Sequence, residues 1–442
     1  MRVSESEQTG RLPTPETSGV RRLQGHAHVI SDIASVYGVQ LANYAAPLIT
    51  VPYLTRVLGP ASWGLVAMAQ AFALYGNLLV EYGFIYSGTR QIATASRDRE
   101  VEDVISGVSA AKMLLSALVI VAATVAYLFV PLFHAHPLLL WMAVSAEILK
   151  ASLPNYYFYG VKRIKIASLL DISARTAAAA GVFILVRGPS DAWKVFALQG
   201  VGATLAFIVG HAMIYSRYAL RLPRVSAGWA MLRQGSAMFL FRSVYNSYAL
   251  GNAFLLGLFA TPQVVGFYSG AEKINSAAAG LLSPLSTALY PRAAELAKTS
   301  LPRAAMLTKW SLYVMLCVSV LLGVVMWFGA STLVRVLLGQ KFIVSASALR
   351  ILSFRAPMIA LTNVLGFQWL LALGMERSFQ RITVVALVVN VVLAACLAPL
   401  YGFNGMAWCV VTSQAVAAAG IFIVLARRNL NPISLAPDSS YG

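Results

Sequence analysis

The sequence predicts an all-α membrane protein of about twelve transmembrane helices in two pseudo-symmetric six-helix lobes, and three observations predict it. First, 59% of the 442 residues are hydrophobic and only 11% are charged, with a mean hydropathy of +0.72. A soluble domain carries about 25% charged residues. Second, residues 57–80, 113–146, 195–216, 243–271, 310–334, 356–375 and 382–426 contain no Asp, Glu, Lys or Arg. Each run reaches the roughly 20 residues that cross about 30 Å of hydrocarbon as a helix. Third, short motifs recur between the two halves of the chain.

Proline and glycine divide the longest runs. Residues 113–146 split at Pro131 and Pro137, and residues 382–426 split at Pro399, Gly402 and Gly405. The expected spans are 31–56, 61–86, 108–130, 138–159, 166–186, 193–216, 237–260, 263–289, 309–330, 350–373, 381–399 and 404–426. A membrane β-barrel would instead show short alternating segments. The predicted organisation is a disordered cytoplasmic tail (1–30), an N-terminal lobe (31–216), a cytoplasmic linker (217–236), a C-terminal lobe (237–427) and a cytoplasmic tail (428–442).

Orientation follows from the basic residues, which cytoplasmic loops retain. With the N-terminus inside, 24 of the 34 Lys and Arg residues fall on the cytoplasmic side, counting Lys112 among them. Six lie outside: Arg56, Arg187, Lys194, Arg335, Lys341 and Arg350. This asymmetry accounts for most of the net charge of +18, and the dispersed basic residues argue against nucleic acid as a partner. The first 30 residues lack the apolar core of a cleavable signal. Cys317, Cys396 and Cys409 fall inside apolar spans without metal-ligand spacing, and His134 and His136 flank an outer turn, so neither a metal nor another cofactor is expected.

The repeat relates Pro60-Ala-Ser-Trp-Gly64 to Pro262-Gln-Val-Val-Gly266, Gln70 to Glu272 and Arg90 to Arg292, all at an offset of 202. Gly160-Val-Lys-Arg163 similarly matches Gly374-Met-Glu-Arg377 at an offset of 214. Six spans per half would preserve the orientation of such a repeat, a plan in which substrate binds between the halves and one half rocks against the other.

Several stretches carry a family resemblance: Leu54-Thr-Arg-Val-Leu-Gly-Pro60 with Trp63-Gly64, Val265-Gly-Phe-Tyr-Ser-Gly-Ala-Glu-Lys273, Leu289-Tyr-Pro-Arg292, Leu337-Leu-Gly-Gln-Lys-Phe342 and Leu349-Arg-Ile-Leu352. Together, over roughly residues 31–427, they resemble the bacterial oligosaccharide flippases of the multidrug/oligosaccharidyl-lipid/polysaccharide (MOP) superfamily. One departure is Tyr156-Tyr-Phe-Tyr-Gly160, which lacks the Gln usual before that Gly. The resemblance implies a MATE-like fold in the bacterial inner membrane. It also implies an undecaprenyl-pyrophosphate-linked oligosaccharide as substrate, flipped to the periplasmic leaflet for O-antigen, capsule or exopolysaccharide assembly. Implied partners are membrane lipids, a coupling proton or sodium ion, and polysaccharide polymerase and chain-length proteins.

Such a substrate has an anionic, hydrated head, so its cavity must be polar and basic. Eight ionisable residues fall inside spans, where charge is costly and usually faces a cavity or a partner: Glu81, Glu147, Lys150, Asp171, Arg175, Glu272, Lys273 and Arg355. Glu147 with Lys150 and Asp171 with Arg175 have helical pairing distances and can neutralise one another. Glu272 and Lys273 are adjacent, about 100° apart on a helix, and cannot pair well. The expected head-group residues are Lys273, then Arg355, Arg175 and Lys150, while Glu272 or Glu81 would bind the coupling ion. Arg355 has a competing reading as an interfacial residue reaching for water. Asn43, Asn77, Asn246, Asn252, Asn275, Asn363, Gln368 and Gln414 can contact sugar hydroxyls or join helices. Trp369, Tyr245 and Tyr248 can stack on sugars or pack at the interface.

Three other activities would carry different marks in the sequence. A cation-coupled drug antiporter would favour carboxylates without four basic residues inside the spans. A lipid II flippase would need two further spans, and a membrane polysaccharide polymerase or ligase would need a larger outer loop than the roughly twenty residues expected here. No Ser/His/Asp set, metal cluster or phosphate-binding glycine loop marks the chain as an enzyme.

Overall fold

A computed structural model describes residues 16–219, 221 and 223–434, with backbone alone for 16–48, 237–238, 240–250 and 283–284. Among these residues the chain is helical throughout, without strands. In the first half run α1 (Glu16–Glu81), α2 (Phe84–Thr94), α3 (Asp98–Phe129), α4 (Pro131–Ala135), α5 (Pro137–Ala151), α6 (Asn155–Gly160), α7 (Ile164–Leu185) and α8 (Ala192–Tyr215). The second half holds α9 (Val225–Leu250), α10 (Asn252–Gly257), α11 (Pro262–Gly280), α12 (Ser283–Thr299), α13 (Leu301–Leu337), α14 (Ser345–Ser353), α15 (Arg355–Leu361), a π-helical stretch (Thr362–Leu370) and α16 (Glu376–Arg427).

Eight helical stretches among the described residues are long and apolar enough to cross a membrane. Two helices are long enough for two crossings each. The 66 residues of α1 break at Gly59 (φ 71°), and the 52 residues of α16 break at Gly402 (φ 55°), positive values that a residue with a Cβ rarely adopts. Proline starts α4, α5 and α11, where its missing N–H falls on a position that has no intrahelical acceptor. The splits read from Pro131, Pro137 and Gly402 are therefore real. α1 begins at Glu16, inside the stretch expected to form a tail, because a nucleated helix extends backwards at little cost. Residues 1–15 and 435–442 lie outside the described set.

The buried apolar side chains form two clusters. The larger runs from Leu54 through the first half to Ile214, and continues into the second through Val265–Ala271, Met326–Ala356 and Ala394–Val410. The smaller belongs to the second half alone, joining Leu282, Ala304, Leu312, Trp369, Phe379 and Leu425. The halves therefore share a core at one end of their helices and not at the other. On the outside, Leu169 and Ile184 of α7, Leu205 of α8, Leu321 and Phe328 of α13, and Val388 of α16 are exposed apolar residues. A surface of this kind suits lipid rather than water.

Candidate functional site

The polar groups of the first half gather where α1, α5 and α8 meet. Glu147, only 3% exposed, sits ten residues along α5, about 15 Å from its proline start. Its carboxylate accepts from Lys150 Nζ at 2.7 Å and from Asn77 Nδ2 at 3.1 Å. Asn77 Nδ2 also lies 3.1 Å from the Glu147 carbonyl, and Lys150 Nζ donates to Gln199 Oε1 at 2.6 Å. The pairing read from the spacing of Glu147 and Lys150 is present, and α1 and α8 complete it. Lys150 is thus a neutralised member of a network that still offers a half-buried ammonium.

Arg175 and Asp171 also pair, at 2.9 Å, but Arg175 is exposed on the outward-facing α7. No contact brings this pair to the Lys150 network or to the charged residues of the second half among the described residues. Glu81 ends α1, and its carboxylate accepts from the backbone N–H of Gly83 at 3.3 Å and Ile85 at 3.2 Å. It caps the start of α2 across the break at Tyr82–Gly83.

In the second half, Lys273 is half-buried and makes no hydrogen bond or ion pair among the described residues. Glu272 does not pair with it, as the 100° offset requires, and instead accepts from Ser276 Oγ at 3.1 Å. Arg355 is 9% exposed, so the interfacial reading is overturned. Its Nη1 donates to Asn275 Oδ1 at 3.4 Å, and Asn275 Nδ2 donates to the Leu352 carbonyl at 2.9 Å. The Nε of Arg355 is buried without a partner among the described residues. α11 therefore carries Glu272, Lys273 and Asn275 within four positions, with Arg355 brought to Asn275 from α15.

Other polar candidates join helices. Trp369 is wholly buried and donates to the Leu430 carbonyl at 2.8 Å, which removes it as a sugar platform. Gln368 accepts from Ser311 at 2.9 Å and Gln414 donates to Thr362 at 2.8 Å, both buried and both serving the π-helical stretch. Asn252 is buried and Asn363 half-buried. The side chains of Asn43, Tyr245, Asn246 and Tyr248 lie outside the described residues. Among the described residues no His, Cys, Asp or Glu cluster can hold a metal.

The sequence reading missed Lys112. Counted as a cytoplasmic basic residue, it is buried in α3, where Nζ donates to the carbonyls of Ala151 at 2.7 Å and Leu153 at 3.2 Å. The helix break before Pro154 takes these carbonyls out of the ladder, and Lys112 satisfies them while lying 5.3 Å from the Tyr156 ring centroid. Pro154, two residues before the aromatic run Tyr156–Tyr159, signals the break, but not the residue that fills it.

The repeat motifs meet each other. A Cβ on Gly64 would sit 1.7 Å from the Pro262 carbonyl oxygen, and one on Gly266 would sit 1.9 Å from that of Pro60. The approach is reciprocal, as a pseudo-two-fold axis between the motifs requires. Beside it, the Arg56 guanidinium donates to the Val336 carbonyl in the last turn of α13, a second tie between the halves.

The comparisons agree with this architecture. A model of the family described as polysaccharide biosynthesis protein matches residues 29–297. A curated protein of Escherichia coli (strain K12), named "Putative O-antigen transporter", is 28% identical over 397 residues, covering 88% of this chain and 95% of its own length. Its namesake from Shigella dysenteriae is 26% identical over 383 residues, covering 85% and 94%. Among solved structures, the lipid II flippase MurJ in an inward closed conformation matches with a TM-score of 0.68 at 14% identity, over 87% of each chain. An inward-facing multidrug resistance MATE family transporter of the MOP superfamily matches with the same TM-score and identity, over 90% of this chain and 96% of the other. With more than half its length matched by the family model and its helices laid out as in these transporters, the chain belongs to the polysaccharide biosynthesis protein family and has the MOP fold.

Proposed function

We propose that this protein is a flippase for undecaprenyl-pyrophosphate-linked oligosaccharides, turning them from the cytoplasmic to the periplasmic leaflet of the inner membrane for O-antigen, capsule or exopolysaccharide assembly. Twelve passes, in lobes 31–216 and 237–427 with both termini cytoplasmic, complete the reading. The relatives' names support a glycan-related transport role, and the MurJ likeness supports a fold that accommodates lipid-linked cargo.

One observation carries the reading at this chain's own residues: the second half holds two cations inside its spans, Lys273 and Arg355, with no carboxylate paired to either among the described residues. Uncompensated cations within the spans favour an anion, and a pyrophosphate is one. Lys150, with its half-buried ammonium, extends the basic surface from the other half. Arg175 is the weakest member, because it is exposed on a helix that faces outward. Glu272, held among the described residues only by Ser276, retains the role of binding a coupling proton or sodium ion ahead of Glu81, whose oxygens cap α2. A cation-exporting activity would be better served by a free carboxylate in the first half, where Glu147 is already neutralised.

Lys273→Ala is expected to abolish glycan export at normal membrane abundance, and Lys273→Arg to retain part of it, because charge survives a change in donor geometry. Complementation of an export-deficient strain with quantitative membrane blotting measures both. Full export by an abundant Lys273→Ala protein would overturn the assignment of Lys273.

A further inference from the structure

We infer that Arg56, Arg335, Lys341 and Arg350 form a second phosphate-binding site at the end of the molecule where the halves touch, an exit subsite for the pyrophosphate of the flipped lipid. The inference rests on the flippase reading. These four are most of the six basic residues assigned to the outer side, where basic residues are normally sparse. No Asp or Glu occurs between Glu295 and Glu376, and none of the four forms an ion pair among the described residues. Unbalanced positive charge, gathered on the side that topology leaves poor in it, calls for an anion.

The geometry assembles the group from both halves. Arg56 reaches from α1 to the Val336 carbonyl, and its stem lies over Gly339, whose backbone is left-handed (φ 96°) and where a Cβ would meet Arg56 Cγ at 3.1 Å. Arg350 Nη2 donates to Ser331 Oγ at 3.1 Å, and Ser331 is one helical turn from Arg335 on the same face of α13. Lys341 lies in the turn Gln340–Phe342, which is pinned by Phe342, fully buried with its ring centroid 6.2 Å from that of Phe267 on α11. All four charged residues are exposed while the turn that carries them is anchored.

Their present acceptors are neutral, a carbonyl for Arg56 and a hydroxyl for Arg350. Both bonds already have a charged donor, but a phosphate adds a charged acceptor and bidentate geometry, so a pyrophosphate would displace both. Because the Arg56 bond ties one half to the other, its exchange for a phosphate would loosen the closed end as the head group arrives. About two turns before Arg335 in α13, Trp327 begins an aromatic group suited to the membrane interface: Trp327 and Phe354 have centroids 5.1 Å apart, and Phe354 and Trp408 lie 6.4 Å apart. A prenyl tail can follow this surface into lipid.

The test uses the full chain, purified in detergent in a Lys273→Ala background so that the rim is read apart from mid-membrane binding. Native mass spectrometry measures binding of geranyl pyrophosphate and, in a separate arm, of dioleoylphosphatidylglycerol. The variant Arg56→Gln/Arg335→Gln/Lys341→Gln/Arg350→Gln is expected to weaken geranyl pyrophosphate at least about tenfold and leave phosphatidylglycerol unchanged, whereas the variant with all three arginines changed to lysine keeps charge but loses the bidentate fork and falls between the two. Should the Gln variant fail to elute as a monodisperse species, Arg335→Gln/Lys341→Gln, which leaves both observed hydrogen bonds in place, replaces it. Equal loss of both ligands would make the rim a general phospholipid site and overturn the exit subsite, as would loss of neither. A wild-type protein that binds no geranyl pyrophosphate would overturn the flippase reading together with the subsite, while binding at the rim alone would leave that reading intact.

Discussion

Whether an intramembrane charge is structural or functional depends on what it touches. Lys112 illustrates the structural case: two backbone carbonyls freed by the break before Pro154 share its ammonium, and the Tyr156 ring lies alongside. Lys112→Met, which keeps the length of the side chain and removes the donors, should leave both carbonyls unpaired in a buried site. The expected cost is on the order of 2–3 kcal/mol, read as a lower thermal midpoint in detergent. An unchanged midpoint would show that water or a shifted backbone satisfies the carbonyls instead. Lys273 is the opposite case, a half-buried cation from which no described group accepts a hydrogen bond. Sequence spacing distinguished the two helical ion pairs, because an i,i+3 or i,i+4 neighbour is a local property. It misplaced Lys112 and could not show the inward turn of Arg355, because their partners lie 39 and 80 positions away.

At the scale of helices, the contact between Pro60–Gly64 and Pro262–Gly266 decides how the two halves meet. Helices in lipid gain little from hydrophobic burial against one another and associate through close backbone packing, for which glycine is required. Here each glycine faces the carbonyl of the other motif's proline, closer than any Cβ permits. Gly64→Ala and Gly266→Ala should therefore push α1 and α11 apart to a similar degree, since the contact is reciprocal. Both variants are expected to lose most export in a complementation assay at normal membrane abundance. Normal export by either would show that the touching end opens without regard to this contact. The same tight packing recurs within the first half, where a Cβ on Gly160 would meet Ile92 at 2.5 Å and α6 is held to α2.

For the whole molecule, the shared core at one end of the helices and the separate core at the other describe two bodies joined at a single end. If the basic side is cytoplasmic, the linker with Arg221 and Arg224 lies inside the cell. Arg221 bonds Glu102 at 2.7 Å and Asp103 at 2.5 Å at the start of α3, which keeps the linker close to the first half. A single cysteine at Ser226, in a version lacking the three native cysteines, should resist an impermeant maleimide in intact cells and react after permeabilisation. Labelling in intact cells would reverse the proposed orientation.

The sequence by itself determined the solvent, the all-helical class and the main breaks, because each follows from local chemistry. Uncharged runs must satisfy their backbone internally in lipid, and of the expected split points Pro131, Pro137 and Gly402 break the helix while Pro399 and Gly405 stay inside α16. It also contained the repeat, since equivalent motifs at offsets of 202 and 214 are visible without coordinates. Only the tertiary structure decided that those motifs touch reciprocally, that Trp369 and Gln368 belong to the packed interior, that Arg355 turns inward to Asn275, and that Arg56 crosses to α13. These outcomes depend on which faces of distant helices come together, and a helix presents the same residues to lipid, to a neighbour or to a cavity until packing selects among them.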